Sequence, residues 1–121
     1  MIDQSKHLRL GDIIDALEGA NEGLSVEFDF GGFAPQEIDS YRGYYSDLAL
    51  SFSEKGTKVG DLLRELRDAD RAVFTGYKGG EYRMDRSTPV WVANYGRCHG
   101  VAVVGVEILP HVVVLHTAKI E

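Results

Sequence analysis

The chain has few of the residues that mark specialised classes of protein. Its single cysteine, Cys98 among 121 residues, excludes an internal disulfide and fits a reducing cytosol. Three prolines leave no Pro-rich linker, and no tract is of low complexity. No apolar run approaches the roughly 20 residues needed to span a bilayer. The opening Met1-Ile-Asp-Gln-Ser-Lys-His7 lacks the apolar stretch of a signal peptide. These absences predict a soluble, cytoplasmic protein. Positive charge is also scarce: 13 Lys and Arg stand against 19 Asp and Glu, for a net charge of -6. That balance excludes a non-specific nucleic-acid binder, which needs a basic footprint. The deficit is local, because residues 1–40 hold nine acids against Lys6 and Arg9, whereas the remainder is close to neutral.

The common catalytic and phosphate-binding signatures are missing too. Gly76-Tyr-Lys-Gly79 has neither the spacing of a phosphate loop nor the Lys-Ser/Thr that follows one. There is no nucleophile elbow, paired-carboxylate motif or Cys–His–Asn set. Glu81, Asp85 and Asp39 lie near the glycine clusters and His99 follows the Asn94-Tyr-Gly loop, but isolated acids beside glycine loops usually serve as surface charge. His111 and His116 are an odd number of residues apart, which on a strand puts them on opposite faces. Cys98 and His99 diverge likewise, so no metal site is expected. No cofactor is implied.

What is present is a foldable core. With 44% hydrophobic residues in 121, residues 1–121 fit one domain. Leu10, Ile13, Ile14 and Leu17 share one helical stripe, and Val59, Leu62, Leu63 and Leu66 repeat it. Both begin alike, Leu10-Gly-Asp and Val59-Gly-Asp, with the Asp in the first turn, and Thr57 is a candidate cap for the second. Leu24–Phe30 alternates as a half-buried strand. Ala72–Tyr77, Asp47–Ser53, Pro89–Asn94, Val101–Leu109 and Val112–Thr117 read as further strands. The order predicts an α+β domain: two helices packed on a mainly antiparallel sheet of about six strands. Each helix is followed by a strand, a double glycine and another strand, which suggests an internal α-β-β duplication; a chance match of helix starts is the alternative. Trp91, between two valines, is expected in the core with its indole N–H meeting a partner at the edge.

Two glycine-aromatic clusters stand outside this pattern: Thr75-Gly-Tyr-Lys-Gly-Gly-Glu-Tyr-Arg-Met-Asp85 and Ser40-Tyr-Arg-Gly-Tyr-Tyr-Ser46. Glycine admits close approach to the main chain, and tyrosine with lysine or arginine grips flat anionic groups. Tyr77 and Tyr82 are candidates to stack on a ring, and Lys78 and Arg83 to neutralise charge. The Gly79-Gly80 main chain is a candidate anion cradle. Arg42 and Tyr44 would complete the pocket if the clusters meet, within one chain or across a homo-oligomer. Tyrosines and glycines at ordinary hairpin corners are the competing reading.

Three motifs, Phe28-Asp-Phe-Gly-Gly-Phe33 with Ser40-Tyr-Arg-Gly-Tyr-Tyr45, Thr75-Gly-Tyr-Lys-Gly-Gly-Glu-Tyr82, and Thr88-Pro-Val-Trp-Val-Ala-Asn-Tyr-Gly96, resemble a family of small tailed-bacteriophage proteins. The resemblance also takes in Val59-Gly-Asp-Leu-Leu63 and spans most of the chain up to Gly96. It brings no catalytic or binding residues to carry over. It implies a viral protein acting in the host bacterial cytoplasm, in the setting of counter-defence. On the residues, the expected function is non-enzymatic sequestration of a small anionic, nucleotide-like ligand such as an immune signal. The first alternative is direct inhibition of a host defence protein through the acidic N-terminal third, by DNA mimicry or an anti-CRISPR type of contact. The second is a hydrolase or transferase acting on a nucleotide derivative.

Overall fold

The computed structural model describes residues 6–41, 44–75, 80–93 and 100–119, with the backbone alone for residues 40, 41, 44–46 and 75. Helix α1 (Leu10–Glu18) buries Leu10, Ile13, Ile14 and Leu17, and α2 (Val59–Ala69) buries Val59, Leu62, Leu63 and Leu66, which are the two predicted stripes. They pack against each other and against one face of a seven-stranded sheet. In chain order the strands are β1 (Ser25–Phe28), β2 (Ala34–Tyr41), β3 (Tyr44–Ser53), β4 (Thr57–Lys58), β5 (Val73–Thr75), β6 (Glu81–Arg83), β7 (Val90–Val92), β8 (Val101–Ile108) and β9 (Val112–Lys119). The sheet order is β2-β3-β7-β8-β9-β1-β4, and β5 with β6 forms a separate hairpin. Only β3–β7 and β9–β1 are parallel. The fold is therefore α+β, as the order of elements predicts. Among the described residues no helix is long and apolar enough to cross a membrane.

The repeated helix start has a structural meaning. The first two N–H groups of a helix have no partner within it and must find acceptors elsewhere. Leu10 and Gly11 donate to the carbonyls of Thr88 and Arg86, at 2.9 Å each. Val59 and Gly60 donate to Leu24 and Glu22, at 2.9 and 3.0 Å. In both cases a loop leading into a strand lies across the first helical turn, and the glycine at the second position makes room for it. Asp12 also accepts the Arg9 N–H at 2.9 Å. Thr57 does not cap α2: it lies in β4, and its hydroxyl donates to Pro35 O at 2.6 Å.

The two halves differ after their helices. Strand β1 enters the main sheet between β9 and β4, whereas β5 pairs only with β6. The parallel thus holds for the helix starts and their docking loops, and the last strands of the halves, β3 and β7, run side by side.

The sheet's outer strands, β2 and β4, are stitched together by side chains. Besides the Thr57–Pro35 bond, Gln36 donates to Lys55 O at 2.5 Å and to Thr57 Oγ1 at 3.2 Å. A turn through Gly31 and Gly32, both at positive φ (57 and 69), returns the chain so that Phe28 N–H reaches Phe33 O at 2.8 Å. Phe28 and Phe30 stack with centroids 5.2 Å apart, and the Phe52 ring meets both edge-on. The Phe28-Asp-Phe-Gly-Gly-Phe33 motif is therefore an aromatic clasp closing one end of the core. On the far side, residue 8 wedges the sheet open, since Leu8 N–H donates to Val103 O and Val90 N–H donates to Leu8 O.

Candidate functional site

The arm that carries the second glycine-aromatic cluster stands outside the main sheet. Strands β5 and β6 pair as Val73–Arg83, Phe74–Tyr82 and Thr75–Glu81. Alternate strand residues face opposite ways. Phe74 and Tyr82 turn inward and pack half-buried against the core, while Val73, 48% exposed, and Arg83 face outward. Two aromatic rings, rather than sheet hydrogen bonds, therefore anchor the arm. Below it, Arg71 N–H donates to Met84 O and Met84 N–H to Ala72 O, at 2.7 and 2.8 Å. β5 lies against β2 and β6 against β3, so the arm is stacked on the hairpin that carries the first cluster.

Of the predicted site residues, Gly80, Tyr82 and Arg83 are described in full. The Tyr82 ring curls back over Gly80: a Cβ added there would lie 3.6 Å from the phenol oxygen. Arg83 is exposed and makes no ion pair among the described residues. Tyr44 is placed by its backbone, pairing with Tyr41 where β2 meets β3. Tyr77, Lys78, Gly79 and Arg42 lie outside the described residues, as do Cys98 and His99.

Two further polar groupings were not singled out from sequence. Trp91 faces away from the helices, because Val90 and Val92 on either side of it belong to the core. It is half-buried, its indole N–H donates to Asp47 at 2.8 Å, and the His7 ring stands edge-on to it at 4.4 Å. The expected edge partner is present, but the ring is on the outer face instead of in the core. The second grouping joins three strands. His116 Nε2 lies 2.8 Å from a Glu107 oxygen and Nδ1 lies 3.7 Å from Asp29. Asp29 also accepts the Thr117 hydroxyl and N–H, at 2.6 and 3.0 Å. Both imidazole nitrogens face carboxylates, so the cluster works as a clasp between β8, β9 and the end of β1. Among the described residues no group of three or more His, Cys, Asp or Glu is placed to hold a metal ion.

The acids of the first third are not one open surface. Asp15 pairs with Arg86 at 2.6 Å and Glu18 with Arg67 at 3.0 Å. The Asp15 carboxylate raises the Arg86 pKa above its ordinary value, first through their hydrogen bond and then through charge. Nearby, the Ser87 hydroxyl and N–H hold the Asp85 carboxyl below its ordinary value.

Fold and site together define a class: an α+β protein with a ring-anchored arm stacked on a glycine-aromatic hairpin. Comparison with known proteins returns no match, for no family model fits the chain and no curated protein or solved structure is detectably similar to it.

Proposed function

We propose that this is a non-enzymatic binding protein that sequesters a small anionic, nucleotide-like ligand between its two glycine-aromatic clusters. The observation that carries the reading is the stacking of the β5–β6 arm on the β2–β3 hairpin. Strand β5 thus lies near β2 and β6 near β3, although the two clusters are about thirty residues apart in sequence. A ligand held at the edge of the arm would meet the Tyr82 phenol beside the Gly80 main chain, with the Arg83 guanidinium on the arm's outward face adding charge from the rim. Tyr77, Lys78, Gly79, Arg42 and Tyr44 would supply the rest of the grip. The motif resemblance supports a phage setting, in which the captured molecule is a host immune signal. Inhibition of a host protein through the first-third acids is less well supported, because Asp15 and Glu18 are already paired.

The test is capture. Purified protein is incubated with lysate from defence-active bacteria, washed and denatured, and the released small molecules are identified by mass spectrometry. The expected result is one intact anionic compound, absent when Lys78→Ala is combined with Arg83→Ala in a folded variant. Equal capture by that variant would remove this site, and recovery of a converted product would make the protein an enzyme.

A further inference from the structure

We propose that the outer face of β1, β8 and β9 docks a basic segment of another protein that has an apolar residue at its centre. This goes beyond small-ligand capture and uses none of its residues. On β9, Val113 and Leu115 enter the core, so Val112, Val114, His116 and Ala118 line the opposite face. Val114 pairs with Glu107 of β8 on one side and Glu27 of β1 on the other. One cross-strand row therefore reads Glu107, Val114, Glu27. Strand spacing puts the two acidic positions about 10 Å apart across the valine. Val112 and Val114 are half-buried, and Leu109, 38% exposed, extends the apolar stripe to the β8–β9 turn. Glu27 is exposed and has no side-chain partner among the described residues.

Charge selects the occupant. Among the described strand residues this face carries Glu27, Asp39, Asp47 and Glu107; its bases are His116, 2.8 Å from Glu107, and Lys58 at the far edge, bonded to the Ser25 hydroxyl at 3.3 Å. Nucleic acid and anionic lipid are repelled by that sign. A second copy joined face to face about a twofold axis would set carboxylates against carboxylates. Lysine or arginine on either side of an apolar residue satisfies both features: their aliphatic stems cover the valines, and their charged ends reach Glu27 and the half-exposed Glu107 carboxylate, one oxygen of which also holds His116.

The probe is a fluorescent synthetic peptide of alternating leucine and lysine, with a leucine–glutamate peptide as its counterpart, read by anisotropy against the full chain. The lysine peptide is expected to bind and the glutamate peptide not to. Glu27→Lys with Glu107→Lys should weaken binding at least tenfold. Glu54→Lys with Asp68→Lys, the same charge change at exposed positions elsewhere, should alter it less than twofold. Amide shifts in the unmodified protein should fall on β1, β8 and β9, which needs no variant to fold. Equal weakening by the two pairs, shifts spread over the whole surface, or a homodimer in sedimentation that Glu27→Lys disperses would each overturn the proposal.

Discussion

Replacing Gly11 with alanine sets two effects of opposite sign against each other. Alanine favours a helix over glycine by about 1 kcal/mol, so propensity alone predicts stabilisation. The structure predicts the reverse. A Cβ at residue 11 would lie 3.0 Å from both the Cβ and the carbonyl oxygen of Arg86, and 3.1 Å from its Cζ. The oxygen belongs to the loop that accepts the Gly11 N–H, so the helix and that loop must part. Forcing atoms into a packed contact costs about 1–3 kcal/mol, and weakening the hydrogen bond adds about 1 kcal/mol. The net is a loss of about 1–3 kcal/mol, or a fall in Tm of about 4–10 °C for a chain of this size. Gly60→Ala is the internal control. There the added Cβ meets Glu22 Cβ at 3.2 Å and its carbonyl oxygen only at 3.5 Å. A small shift relieves the contact, the propensity gain survives, and stability should stay within about 0.5 kcal/mol. Thermal and urea unfolding, followed by circular dichroism, measure both. Truncating Arg86 to alanine in the Gly11→Ala background should not restore stability, because the carbonyl oxygen remains. A Gly11→Ala protein as stable as the parent, or a larger loss at Gly60 than at Gly11, would refute the close approach of the carbonyl oxygen as what requires glycine at residue 11.

Leu8→Ala should cost about 2–5 kcal/mol in urea unfolding, because Leu8 is a core residue in the wedge between β7 and β8. Asp47→Ala leaves the Trp91 N–H without its acceptor and should cost about 1–3 kcal/mol while changing Trp91 fluorescence, the only tryptophan signal in the chain. Asp85 titrates below its ordinary value, so its contribution is present above the unfolded-state pKa and is lost as pH falls through the lowered folded value. In Ser87→Ala the Asp85 midpoint, read by carboxyl-carbon NMR, should move up toward the ordinary carboxylate range. An unchanged midpoint would mean that the Ser87 hydroxyl is not the main cause.

The helical stripes were legible because burial on a helix repeats at 3.6 residues, and both stripes carry nothing polar. Strands β8 and β9 were legible for their β-branched runs. Strand β2 was not: Ala34-Pro-Gln-Glu-Ile-Asp-Ser-Tyr41 reads as a loop, yet it is an outer strand, where proline and acids guard against further pairing. Strands β4 and β6, of two and three residues, are too short to show a period. Trp91 was misplaced for a related reason. An alternating strand whose two faces are both partly apolar does not say which face meets the helices. That is decided by Leu48 and Leu50 of β3 standing beside Val90 and Val92. The row Glu107–Val114–Glu27 could not be read at all, since it depends on the register of residues up to 87 positions apart and on a bulge between Val103 and Gly105. Of the candidate pocket, composition identified the arm, but not that Tyr82 turns toward the core while Arg83 turns away.

That divergence bears on how the arm can work. A ring that anchors the arm and a cation on its opposite face do not close on a guest from one side. Tyr82 helps to hold the arm in place with Phe74, and its phenol oxygen lies beside Gly80. Any grip must therefore come from the tip of the arm and from the neighbouring β2–β3 hairpin, with Arg83 adding charge from the rim. Phenylalanine at residue 82 would keep the anchor and remove the hydroxyl, whereas alanine would free the arm from the core. If the ligand is held by stacking on Tyr82, Tyr82→Phe binds as well as the parent. If it is held by the phenol at the Gly80 edge, Tyr82→Phe loses affinity at unchanged Tm, and Tyr82→Ala loses both. Measuring affinity and melting together on these two variants separates a ring that binds from a ring that only supports.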